Sequence, residues 1–135
     1  MGSMKIRSNR NVVFSCTYHV VFCPKYRLNI LRDRVDERFK EIAGQVSIES
    51  GFEILEMEVM PDHFHLLLSV DPQLGVHKVV KRVKRRTSRI LRKEFPRLKN
   101  RSRTLWTNSY FVATTGGATL ETVKRYIESQ RWGQA

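Results

Sequence analysis

The sequence is poor in cysteine, proline and acid: two Cys, four Pro and 13 Asp plus Glu in 135 residues. Cys16 and Cys23, if on one strand, stand seven steps or about 23 Å apart. That is far beyond the roughly 4.4–6.8 Å Cα spacing of a disulfide. Their spacing matches no zinc motif, so they read as buried thiols in a reducing cytoplasm. No apolar run approaches the roughly 20 residues that span a bilayer, and no signal peptide is expected. A G-x-x-x-x-G-K-[S/T] loop is absent, so no nucleotide cofactor is expected. No set of several carboxylates of the kind that holds two metal ions is evident. Repeats, low-complexity tracts and linkers are absent too. Residues 4–135 are expected to form one domain, with Met1-Gly2-Ser3 an expression scar before Met4.

Against 13 acids stand 25 lysines and arginines, a net charge of +12. A surplus of this size in so small a domain suits a polyanion, with nucleic acid the first candidate. Much of it lies in one segment: Lys78, Lys81, Arg82, Lys84, Arg85, Arg86, Arg89, Arg92 and Lys93, extended by Arg97, Lys99, Arg101 and Arg103. Almost no acid interleaves before Glu94. A charge run is ordinarily a solvated face, but here uncompensated repulsion favours phosphates as the counter-charge. The first seven of these residues are the candidate DNA-binding set.

Periodicity predicts strand, helix, strand, strand, helix, strand, helix. Asn11 to Cys23 alternates, with Val12, Phe14, Cys16, Tyr18, Val20 and Phe22 on one face. Asp33 to Ser50 has helical spacing and stops at Gly51. Phe52 to Met60 alternates, with Leu55, Met57 and Val59 against Ile54, Glu56 and Glu58. Pro61-Asp62 makes a turn into a strand over His63 to Val70. Val76 to Phe95 is a second helix and Leu105 to Thr115 contains a strand. Gly116-Gly117, an ordinary loop or a hinge, precedes a last helix over Thr119 to Arg131. The first six elements form a split βαβ pattern: an α+β fold, ferredoxin-like, with an antiparallel sheet and two helices on one face.

The stretch "MPDHFHLLLSV" (60–70) places His63 and His65 at i and i+2, so both rings leave one face of a strand. Phe64, Leu66 and Leu68 take the other, core-facing side. Neutral imidazole is a common ligand for divalent metals, but two rings make only part of a site. Glu56, Glu58 and His19 are nearby candidates for a third ligand. On the last helix Tyr126 and Gln130 stand one turn apart, beside the apolar stripe of Leu120, Val123 and Ile127. A phenol and a carboxamide thus share one face. The bland alternatives are half-exposed sheet histidines, a boundary tyrosine and a solvated glutamine.

Together, "MPDHFHLLLSV" and "VKRYIESQ" resemble the single-tyrosine HUH transposases of small insertion sequences. "NVVFSCTYHVVFCPKYR", "TSRILRKEF" and "TLWTNSYFV" are similar to that family as well. The resemblance implies His63 and His65 as the metal-binding pair, Gln130 as third ligand and Tyr126 as nucleophile. It implies cleavage and rejoining of single-stranded DNA through a 5′-phosphotyrosine, with Mg2+ or Mn2+. It further implies recognition of hairpins at the element ends, a homodimer, and a cytoplasmic, nucleoid-associated prokaryotic protein. Alternatives are a related nickase, a domesticated relative and a non-catalytic sheet that binds nucleic acid. The last would need exposed aromatics on the open face, where Ser15, Thr17, His63 and His65 are expected instead.

Overall fold

A computed structural model describes residues 6–100, 103–114 and 120–130. Two short strands, β1 (Arg7–Ser8) and β2 (Val13–Phe14), pair with each other. A four-stranded antiparallel sheet follows, built from β3 (Thr17–Phe22), β4 (Glu53–Met60), β5 (His63–Ser69) and β6 (Phe111–Thr114) in the order β4-β5-β3-β6. The helices are α1 (Val35–Ser50), α2 (Val76–Glu94) and α3 (Leu120–Ser129). This is the expected split βαβ arrangement. Gly116-Gly117 and Arg101 lie outside the described residues.

The expected first strand is two strands in the structure. β2 pairs with β1, and the chain changes partner at Ser15-Cys16 before β3 enters the main sheet. Asn9 explains the turn: its side-chain oxygen accepts the N–H groups of Asn11 and Val12, at 2.7 and 2.8 Å, an Asx turn that reverses the backbone. Arg7 then ties this hairpin down, donating to the Ser69 carbonyl and hydroxyl and pairing with Glu53.

A second departure lies in β4. A bulge at Leu55 shifts the register, so that Ile54 faces Leu68, Glu56 faces Leu67 and Met57 faces Leu66. Strict alternation would put Ile54 with the glutamates. The extra residue turns it onto the core face with Met57 and Val59. Glu56 and Glu58 remain on the other face.

α1 and α2 cover one side of the sheet. Phe22, Phe39, Phe64 and Trp106 cluster there, with Trp106 edge-on to Phe22 and Phe39 at ring-centroid distances of 5.3 and 5.8 Å. Such pairs add to their burial. Trp106 also donates its indole N–H to Thr87 at 3.0 Å, so the buried Thr87 and the tryptophan satisfy each other inside the core. Among the described residues no helix is long and apolar enough to cross a membrane.

The other side of the sheet is the open one. Here a row of cross-strand neighbours runs Glu58, His65, Val21, Phe111. α3 lies over the β3–β6 end of this row: Tyr126 meets the Phe111 ring, and Val21 is wholly buried. The histidine end stays more open, with a cleft of about 390 Å³ lined by Glu56, Glu58, His65 and Leu67.

Candidate active site

β5 sends His63 and His65 out of the open face, as the two-residue period requires. Each ring has its own partner. The Nδ1 of His63 lies 2.8 Å from Asp62 Oδ1. The other oxygen of Asp62 accepts from Arg27 Nε at 2.6 Å. Arg27 reaches it because Tyr26 and Arg27 are consecutive left-handed residues, with φ of 59° and 55°. Such conformations cost about 1–3 kcal/mol each outside glycine. The short helical turn over Lys25–Arg27 holds them, with Arg27 N–H bonded to Pro24 O at 2.8 Å and Lys25 N–H to Leu105 O. A carboxylate on Nδ1 fixes the tautomer and leaves Nε2 as the free lone pair.

Burial alone would raise the Asp62 carboxyl, but the hydrogen bonds from His63 and Arg27 and their charges together hold it below its ordinary value. His65 is treated differently. Its Nε2 lies 2.9 Å from His19 Nδ1 across the β3–β5 ladder. Burial first, and then His19, lower the His65 imidazole below the ordinary histidine value, which favours the neutral ring that metals bind. Asp62, Arg27 and His19 were not assigned these positioning parts from sequence. The signal available was "PDH", a carboxylate directly before a ligand-type histidine.

Tyr126 and Gln130 form the second group. The Tyr126 hydroxyl is 3.0 Å from Ser109 Oγ, and Ser109 also donates to Gln130 Oε1 at 3.4 Å. Gln130 Nε2 donates to Ser129. Gln130 is only 2% exposed, so it is not the solvated glutamine of the bland alternative. Burial raises the Tyr126 phenol above its ordinary pKa, while hydrogen bonds with Ser109 and Thr107 pull it down. Cys23 is fully buried and near enough to act on both groups: its charge would oppose ionisation of Tyr126, and Asp62 helps burial push its thiol up to about 12.

All four expected site residues thus belong to one open face, in two groups. β5 and β6 are two strand spacings apart, about 9.6 Å. Among the described residues no hydrogen bond joins the histidines to Tyr126 or Gln130. Nor do any three His, Cys, Asp or Glu side chains gather closely enough there to hold a metal. Glu56, Glu58 and His19 therefore do not complete the histidine pair in this conformation. The donor set that remains, two imidazoles and one carboxamide, has the chemistry to hold a divalent cation.

The basic helix lies on the opposite side of the sheet. Lys78, Lys81, Arg82, Arg85 and Arg89 are exposed, and the last three join Arg86 along a cleft of about 120 Å³ between α1 and α2. Two of the expected set behave otherwise. Arg86 pairs with Glu49 of α1 at 2.8 Å, a compensating acid that sequence order concealed. Lys84 turns inward.

The family described as "Transposase IS200 like" matches residues 12–130. The chain belongs to the IS200-like transposase family. It is 36% identical over 129 residues to the ISDra2 transposase TnpA of Deinococcus radiodurans, covering 94% of this chain and 92% of that one. It is 30% identical to the IS200 insertion-element transposase of Salmonella typhimurium, over 90% of this chain and 83% of that one. A solved structure described as a transposase from Deinococcus radiodurans superposes with a TM-score of 0.81 at 34% identity, covering 92% of this chain and 97% of that chain. Membership of a transposase family implies DNA strand transfer as the activity class. Phe111 adds an aromatic to the open face, but it lies under Tyr126 rather than presenting a stacking platform.

Proposed function

We propose that this transposase cleaves and rejoins single-stranded DNA at insertion-sequence ends through a 5′-phosphotyrosine on Tyr126. The observation that carries the reading is the gathering of His63, His65, Tyr126 and the buried Gln130 on one face of the sheet. Tyr126 Oη attacks the scissile phosphorus. The bond to the 3′ oxygen breaks, leaving a 3′-hydroxyl that attacks a second phosphotyrosine to rejoin strands. The phosphodiester energy is kept in the covalent bond, so no nucleotide is consumed.

His63, His65 and Gln130 would hold Mg2+ or Mn2+, which when bound supplies positive charge at the phosphate and fixes it for in-line attack. Asp62 keeps His63 in the tautomer that presents Nε2. Tyr126 rests protonated, because a free phenol has a pKa near 10 and burial raises this one further. Ser109 holds its hydroxyl in place until substrate arrives. Gln130 must leave Ser109 to join the imidazoles, so completing the site involves movement of α3. The exposed cations of α2 bind the backbone of an end hairpin on the far side of the sheet, and the protein works as a homodimer.

The test is a labelled single-stranded hairpin end mixed with protein and Mg2+ or Mn2+, resolved on a denaturing gel. A covalent protein–DNA band is expected, lost in Tyr126→Phe and with a chelator. Cleavage that survives Tyr126→Phe with no covalent band rules the reading out.

A further inference from the structure

Lys84 belongs to the basic run yet does not share its surroundings. Its ammonium is aimed at three consecutive carbonyls, those of Thr107, Asn108 and Ser109, at 2.6, 3.3 and 3.4 Å. Its stem passes the Phe22 ring, with Nζ 5.5 Å from the centroid. Burial lowers its pKa to about 8, against an ordinary value near 10.4, so it remains mostly charged at neutral pH. A buried ammonium needs acceptors, and three carbonyls supply them.

Those carbonyls belong to the segment that seats the tyrosine. Ser109 bonds the Tyr126 hydroxyl and Gln130, and Thr107 also bonds Tyr126. The segment carries no regular secondary structure over 107–110, so its shape is set by what grips it. Thr107 N–H donates to Cys23 O at 3.0 Å, and Trp106 is anchored on Thr87. Thr87 and Lys84 are one turn apart on α2, on the same helix face. Carbonyl dipoles that converge repel one another unless a cation sits among them.

We propose that Lys84 is a positioning residue for Tyr126: its ammonium gathers the 107–109 carbonyls and so fixes Ser109 beneath the phenol. It is not a DNA contact. α2 thus carries outward cations for DNA and one inward cation for the tyrosine's seat. The inference rests on Tyr126 being the nucleophile, but the geometry it concerns can be read without any cleavage.

The test uses the full chain with tyrosines labelled with 13C at Cζ. There are four, and Tyr126 is the signal missing from Tyr126→Phe. In Lys84→Met the Tyr126 resonance and its titration midpoint are expected to move, while Tyr18 and Tyr26 stay. Lys84→Arg, which retains a carbonyl-binding cation, is expected to restore it. Cleavage of hairpin DNA by Lys84→Met should lose about ten- to a hundredfold in kcat, the range for a misplaced reacting group, with KM unchanged. Should Lys84→Met not fold, Lys84→Gln, which keeps one donor pair, serves the same comparison. A Tyr126 signal that does not respond to either variant overturns the inference, whatever cleavage does. So does a raised KM with unaltered kcat, the mark of a lost phosphate contact. Failure of the nucleophile reading looks different: cleavage would persist in Tyr126→Phe.

Discussion

The two faces of β5 hold their side chains by different means. Phe64, Leu66 and Leu68 are sealed under α1 and α2 at 0–1% exposure and are placed by volume alone. His63 and His65, interleaved with them, are partly buried and placed by hydrogen bonds to Asp62 and His19. One strand therefore separates packing from hydrogen bonding by side-chain parity. A substitution on the covered face should unfold the protein, and one on the open face should disarm it.

The largest expected effect is on the covered face. Phe64→Ala should cost about 3–5 kcal/mol of stability in urea unfolding, as for other buried aromatics, whereas His63→Ala should stay within about 1 kcal/mol. Equal losses would break the comparison. Next comes Asp62→Asn, which removes the carboxylate that orients His63. Metal affinity is expected to fall about 10- to 100-fold, the usual cost of losing such a partner, read by Mn2+ titration. The same variant has a pH signature. Because the folded Asp62 carboxyl lies below its ordinary value, its stabilisation is present above the unfolded value of about 3.9 and is lost as pH falls through the lower folded value. The stability gap between wild type and Asp62→Asn should accordingly close below about pH 4. The smallest effect contrasts two lysines of α2. Lys81→Gln should reduce the salt dependence of single-strand binding by about 0.7 log units per decade of salt, and Lys84→Gln should leave it unchanged.

Much of this was legible in the sequence. Element order, the helix ends near Ser50 and Glu94, and the histidine face all follow from periodicity and from Pro61-Asp62 and Gly51. What escaped depended on distant partners. The Leu55 bulge breaks alternation without any Gly or Pro to mark it. Arg86 and Lys84 read as part of the DNA-binding run, yet they meet Glu49 and a run of backbone carbonyls, while Arg7 and Arg27, which carried no assignment, meet Glu53 and Asp62. Those acceptors are brought to them only by the fold. Thr87 carried no assignment, and its partner, Trp106, is 19 residues away.

Two imidazoles of β5 and the carboxamide of α3 are proposed to serve one cation. Mn2+ binding, followed by the electron paramagnetic resonance of the free ion, tests it most directly. One tight site is predicted for the wild-type chain, weakened at least about tenfold in each of His63→Ala, His65→Ala and Gln130→Ala, within the range seen when ligand support is lost. Unchanged Mn2+ affinity in Gln130→Ala alongside lost affinity in the histidine variants would contradict it.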